Sequence, residues 1–204
     1  MSQYSDLTIG ILAIQGDYDA HRVVLERLGA HTRLVRKREE LQGLDAIVIP
    51  GGESSTFLNF LRREGFFEAL KDFVNTHAAF GTCAGAILLA NEVQNPHQDS
   101  LGAIDIAVAR NAYGRQIDSA IKVAQTKLAG GPIEMVYIRA PKITRVGRGV
   151  EVLAERDGDP VLVRSDDERI MVATFHPELN MDGDDRIHRA FLESVRKQKS
   201  ALVH

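Results

Sequence analysis

Ala79-Phe80-Gly81-Thr82-Cys83-Ala84-Gly85 runs from a short apolar strand, Ala79–Thr82, directly into a helix that begins at Ala84 and reaches about Asn91. Two glycines flank the cysteine at a spacing of two residues, the G-x-nucleophile-x-G form of an elbow with cysteine in place of serine. A strand of this kind needs parallel neighbours, and the chain supplies them. Thr8–Ile14 (TIGILAI) and Ala46–Pro50 (AIVIP) are near-continuous apolar runs, as expected of strands buried on both faces. Between them, Asp17 can cap a helix carrying Ala20, Val24, Leu25 and Leu28 at helical spacing, Gly29 ends it, and His31–Val35 forms a second strand. Helical stretches around Thr56–Arg63 and Phe66–His77 lead back to the elbow strand. This β-α-β-β-α-β-α order predicts an α/β fold, a doubly wound, mostly parallel central sheet of flavodoxin-like type.

The second half reads differently. Ile104, Ile106 and Val108 alternate, as do Met135 and Tyr137 against Val136 and Ile138. Val150–Arg156 and Pro160–Arg164 are joined by Asp157-Gly158, a strong hairpin signal. These segments predict added β-hairpin strands, attached to or inserted into the sheet. A last apolar strand, Ile170–Phe175, runs into His176-Pro177-Glu178, and Asp184 or Asp185 can cap a final helix with Ile187, Phe191 and Val195 inward. With 204 residues and no repeat, low-complexity tract or linker, residues 1–204 read as a single domain.

Composition narrows the function classes. Hydrophobic residues make up 44% and charged residues 26%, which excludes a disordered or fibrous chain. A net charge of −3 supplies no field for nucleic acid or an anionic membrane. A single cysteine forbids an intrachain disulfide. The polar start, Met1–Asp6, does not read as a signal peptide, and the longest stretch without Asp, Glu, Lys or Arg, Phe73–Asn91, is too broken by polar residues and glycines for a membrane span. A soluble protein of a reducing compartment, most simply the cytoplasm, is expected.

Ligands of doubly wound sheets gather at the carboxyl ends of the strands. Three strand ends are unusual: Gly51-Gly52-Glu53, Gly81–Gly85 and His176-Pro177-Glu178. Cys83, opening a helix, feels the positive end of the helix dipole, which favours thiolate. Taken alone, it reads equally as an inert cysteine in a Gly/Ala-rich packing site. His176 can reach a nucleophile on a neighbouring strand end, and Glu178 can hold its other ring nitrogen, giving nucleophile, base and acid in the order Cys, His, Glu. An ordinary α/β-hydrolase has its acid before its histidine. The glycine loop at 51–52 and the Ala84 amide can supply oxyanion donors. Read alone, that loop is a plain turn before a helix capped by Ser54 or Ser55; it is not a P-loop.

Together with Gly10–Gly16 and His21, Pro50–Thr56, Arg110–Gln116, Ile138–Pro141 and Phe175–Leu179, these elements resemble the class I, triad-type glutamine amidotransferase family. The narrower stretches Gly51-Gly52-Glu53-Ser54, Asn111–Gln116 and Ile138-Arg139-Ala140-Pro141 are similar to those of glutaminase subunits of pyridoxal 5′-phosphate synthase. The resemblance covers about residues 7 to 196. It implies hydrolysis of L-glutamine to glutamate and ammonia through a glutamyl thioester on Cys83, with His176 as acid and base and Glu178 holding the ring. It implies an oxyanion hole from Gly52 and Ala84, and substrate contacts from Gly51, Gly52, Glu53, Arg110, Ile138 and Arg139. It also implies that the ammonia acceptor is a barrel-type synthase subunit in a large hetero-oligomer, with neither cofactor nor metal. The chain departs from the family pattern at Ser55, Ala78-Ala79 and Ala120, none of them in the triad. Two rival classes are a cysteine peptidase or deglycase-like enzyme and a non-catalytic regulatory subunit. His21, His31, His77, His97, His188 and His204 show no metal-ligand spacing and are expected at the surface or in the core. Among them His21 has the best claim to function, because it lies in a family-like stretch.

Overall fold

One seven-stranded sheet centres the fold, its strands lying in the spatial order Val150–Arg156, Asp159–Ser165, Ile170–Ala173, Ala78–Thr82, Ala46–Ile49, Thr8–Leu12 and His31–Val35. The structure, a computed structural model, describes residues 3–110, 119–180 and 182–201. Strands β1 (Thr8–Leu12), β2 (His31–Val35), β3 (Ala46–Ile49), β4 (Ala78–Thr82) and β12 (Ile170–Ala173) run parallel. On the far side, β10 (Val150–Arg156) and β11 (Asp159–Ser165) pair antiparallel as the predicted hairpin and join β12 through β11.

Alternation along the central strands builds two cores, one per sheet face. Ile47, Ile49, Ala79, Ile170 and Val172 point into one, with α2 (Ser54–Leu61), α3 (Phe66–Thr76) and α4 (Ala84–Leu89) over them. Ala46, Val48, Phe80, Met171 and Ala173 point into the other, under α1 (Tyr18–Leu28) and α5 (Arg186–Ala201). Gly29 ends α1 in the left-handed conformation, φ 95°, and Asp184 Oδ1 accepts from the Arg186 N–H at the start of α5.

The added strands differ from expectation. The helix after the elbow stops at Leu89 rather than near Asn91, because the chain continues as β5 (Ala90–Gln94). β5 pairs with β6 (Ile104–Ala109), and β6 with β9 (Lys142–Val146), as a separate three-stranded sheet. β7 (Ser119–Ala124) and β8 (Ile133–Ile138) form a two-stranded antiparallel ribbon of their own. So, among the described residues, only the β10–β11 hairpin of the added strands extends the main sheet. The ribbon packs by its buried residues Ile133, Met135 and Tyr137 on the α1/α5 face, leaving Ile121 and Val123 exposed. Asn111–Gln116 and His204 fall outside the described residues. Among the described residues, no helix is long and apolar enough to cross a membrane.

Candidate active site

Because β3, β4 and β12 are parallel neighbours, their carboxyl ends bring Gly51, Cys83 and His176 to one edge of the sheet. Cys83 sits between β4 and α4 at φ 48°, ψ −102°, a conformation that L-residues rarely adopt. Holding such a residue costs on the order of 1–3 kcal/mol, so the surroundings must over-determine it. The Cys83 N–H donates to Ala173 O at 2.9 Å, tying the elbow to β12. Gly85 is the residue that makes the turn possible: a Cβ there would stand 2.0 Å from the backbone oxygen of Ile49. Helix α4 can therefore approach β3 only with glycine at that position. Arg139, at φ 43°, is a second strained non-glycine residue lining the same cleft.

His176 is 3% exposed, and its N–H donates to Val136 O at 2.8 Å, which hangs the β7–β8 ribbon beside the site. Its Nδ1 is 2.8 Å from Glu178 Oε1, and its ring lines the same cleft as Cys83. The strand ends thus bring the imidazole beside the carboxylate and into one cleft with the cysteine. Burial alone lowers the His176 pKa, but hydrogen bonds and charge from Cys83 and Glu178 outweigh it and raise it to about 10. Burial pushes the Glu178 carboxyl up, opposed by the contact with His176. Beneath the ring lies Gly51, where a Cβ would meet His176 Cε1 at 2.3 Å. Gly51 is a floor for the imidazole and does not line the cleft; its neighbour Gly52 does.

A cleft of about 490 Å³ opens over these groups. Cys83, Ala84, His176, Gly52, Glu53, Arg110, Ile138 and Arg139 all line it. Glu178 is buried behind His176. The Cys83 thiol lies 3.8 Å from Ile138 O. Arg110 reaches Ser55 Oγ at 2.7 Å and Glu53 Oε1 at 3.5 Å. Glu53, not Ser54 or Ser55, caps α2: its carboxylate accepts from the N–H groups of Ser55 and Thr56 at 3.0 and 2.7 Å. Partial burial raises its pKa, yet the bonds from Thr56 and Ser55 hold it down at about 2. With the carboxylate committed to the helix end, Glu53 orders the glycine loop.

Several neighbours were not singled out from the sequence. Gln15 lines the cleft and its Nε2 donates to Glu53 O at 2.8 Å, pinning the loop after β1 to the loop after β3. Asp17 makes no side-chain capping bond at the start of α1; instead its Oδ2 lies 3.4 Å from His176 Nδ1. Among the described residues, Asp17, His176 and Glu178 form the group with metal-ligand spacing. An ion there would take the ring nitrogen that faces Glu178, so the arrangement suits a protein acid–base pair better than a metal. His21 and His188 are fully buried.

A model of the SNO glutamine amidotransferase family matches residues 11–197. The chain belongs to that family. A pyridoxal 5′-phosphate synthase subunit PdxT from Koribacter versatilis (strain Ellin345) is 60% identical over 194 residues, spanning 95% of this chain and 98% of its own. The PdxT of Solibacter usitatus (strain Ellin6076) is 48% identical over 92% of this chain and 98% of its own. A crystal structure described as a glutamine amidotransferase superposes with a TM-score of 0.83 at 44% identity, covering 92% of this chain and 98% of that one. A putative GMP synthase component from Thermoplasma acidophilum, 17% identical with a TM-score of 0.73 over 97% of this chain and 98% of its own, shares the fold. The family's sheet is the doubly wound one predicted, and the elbow and His-Pro-Glu stretch both lie inside the matched residues.

Proposed function

We propose that Cys83, His176 and Glu178 hydrolyse L-glutamine to glutamate and ammonia, as nucleophile, acid–base and orienting carboxylate. The observation that carries this reading is the His176 imidazole, with Nδ1 2.8 Å from Glu178 Oε1 and its ring lining the same cleft as Cys83. His176 takes the proton of the Cys83 thiol, so that the sulfur reacts as a thiolate. The sulfur attacks the side-chain amide carbon. The resulting oxyanion is met by the Ala84 N–H, which heads α4 and has no partner within the helix, and by the Gly52 N–H; each such donor is worth about 3–4 kcal/mol. His176 then gives its proton to the nitrogen as the C–N bond breaks, leaving ammonia and a glutamyl thioester.

The same imidazole can then reverse its role. Much of what raises its pKa is the hydrogen bond and charge of Cys83, and acylation removes that charge. The neutral ring takes a proton from water, hydroxide attacks the thioester, and glutamate leaves as the thiolate returns. Arg110 and Arg139 lie in the cleft as cations for the substrate α-carboxylate, selecting an amino acid over a simple amide. Gly52, Glu53 and Ile138 shape the remaining wall, and Gly51 supports the imidazole from beneath.

Residues 1–204 act as one glutamine amidotransferase domain, the ammonia-supplying subunit for pyridoxal 5′-phosphate synthesis. The PdxT relatives, named as synthase subunits, support this. The acceptor is a barrel-type synthase subunit in a large hetero-oligomer, docked on the strand-end face, where ammonia can pass without meeting water and becoming ammonium. A single free cysteine that must stay reduced fits the cytoplasm. The test is ammonia release from glutamine with and without the synthase subunit. Turnover should rise on mixing and vanish in Cys83→Ala; a Cys83→Ala variant that still turns over would mean another nucleophile.

A further inference from the structure

Behind Glu178 lies a pair of histidines that this reaction scheme does not use. His21 on α1 and His188 on α5 are both 0% exposed. His21 Nδ1 is 2.9 Å from His188 Nε2, and His21 Nε2 is 3.1 Å from Thr82 Oγ1 and 3.4 Å from Glu178 Oε2. The Phe80 ring meets both imidazoles edge-on, at centroid distances of 6.0 and 5.6 Å. Burial keeps both rings neutral, with His188 pushed down to about 3 and His21 well below its ordinary value.

Neutrality fixes the protons. A neutral imidazole has one N–H and one lone pair, and a carboxylate only accepts. A lone pair on His21 Nε2 would set two acceptors facing each other across 3.4 Å, so the proton belongs at Nε2. His21 Nδ1 then accepts from His188 Nε2–H, and His188 Nδ1 is left as a bare lone pair. That atom is indeed a buried one without a partner among the described residues, and an orphaned acceptor is more tolerable than an orphaned N–H. Every proton in the row points towards Glu178. Glu178 Oε2 is itself buried and makes no full hydrogen bond, so the N–H of His21, shared with Thr82 Oγ1, is its nearest support.

We propose that His21, oriented by His188, is a positioning residue for the hydrolysis. Its Nε2–H steers the second oxygen of Glu178 so that Oε1 stays aligned with His176 Nδ1. The proposal rests on the Cys83–His176–Glu178 reading. The groups facing Glu178 are His176, His21 and the Asp17 carboxylate; the charged group acting on His188 is Arg27. Without the His21 donor, the carboxylate holds a proton more tightly, and the acid limb of kcat moves to higher pH.

Ammonia release from glutamine, measured across pH with the synthase subunit present, tests this. His21→Asn places its amide near the Nδ1 position, too short to reach Glu178, whereas His21→Gln carries a donor to the Nε2 position. His21→Asn should lower kcat about tenfold or more with little change in KM, and shift the acid limb upward. His21→Gln should recover most of both. Thr82→Val, which leaves the N–H to Glu178 alone, should move the limb the opposite way and serves if His21→Asn does not fold. A folded His21→Asn with the original kcat and acid limb overturns the proposal, as does equal loss in the Asn and Gln variants or an unmoved limb in Thr82→Val. Cys83→Ala in the same assay separates the two ideas: if it is dead while His21→Asn behaves as the parent, only the role of His21 falls.

Discussion

Two of the turns that hold a non-glycine residue at positive φ, the elbow and the β10–β11 hairpin, do so in opposite settings. At the tip of the β10–β11 hairpin, Asp157 and Gly158 adopt φ 52° and 84° in the open, where a Cβ on Gly158 would touch nothing within 4 Å. Aspartate and glycine are the residues that such a turn favours, so the strain is small and local. At the elbow, a buried cysteine takes φ 48°, ψ −102°, a conformation for which its side chain is ill suited. It is held there by the Cys83 N–H bond to Ala173, by the Gly85–Ile49 contact and by the histidine and carboxylate beyond it. The hairpin uses strain to reverse the chain. The elbow uses it to present a sulfur, and everything costly around it is there for the same reason.

The largest way to break this contrast is to remove the sulfur. Cys83→Ala should lower glutamine turnover by about 10⁴-fold or more while the thermal midpoint changes little, measured by ammonia release and melting. Glu178→Gln should cost about 10²–10⁴-fold, through loss of the ring's orientation. Gly51→Ala should cost about 10²-fold, since its Cβ would displace the imidazole and little else.

Acid stability sharpens the comparison from beneath the elbow. His188 and His21 have folded pKa values below their unfolded value of about 6.5, so the unfolded chain binds the extra protons. The stability they contribute is complete above about pH 6.5 and is lost as pH falls below it, for His188 towards its folded value of about 3. His188→Leu should flatten the decline in unfolding free energy below pH 6.5, a change on the order of a few kcal/mol by pH 4, read by denaturant titration.

The smallest effects invert an ordinary rule. Cys83→Gly should be more stable than Cys83→Ala by about 1 kcal/mol, because glycine accepts the elbow's φ. At the hairpin, Gly158→Ala should cost about 1 kcal/mol and leave turnover untouched.

The parallel core was legible because its strands, such as AIVI and TIGIL, carry their burial in composition, and the elbow because glycine spacing betrays close packing. The strands β5, β7 and β9 were not. Ala90–Gln94 has a single large apolar residue and follows α4 without a break, so it reads as more helix. In β7 the apolar residues Ile121 and Val123 face solvent, which removes the burial signal. At the site, Cys83, His176 and the Gly-Gly-Glu loop announce themselves by local pattern. Asp17 looks like a helix cap, and its place beside His176, far along the chain, exists only once β1 and β12 are in one sheet. The capping role of Glu53 and the meeting of His21 with Glu178 likewise depend on which side of a helix faces a strand end, and no spacing encodes that.

The most direct measurement is to trap the reaction midway. The complex with the synthase subunit is mixed with glutamine, quenched in acid during turnover, digested and weighed by mass spectrometry. The expected result is a glutamyl adduct on the peptide containing Cys83, absent when Cys83 is replaced by alanine. Ammonia released at full rate with no adduct, or with the adduct on another peptide, would contradict the nucleophile, the triad and the purpose of the strained turn.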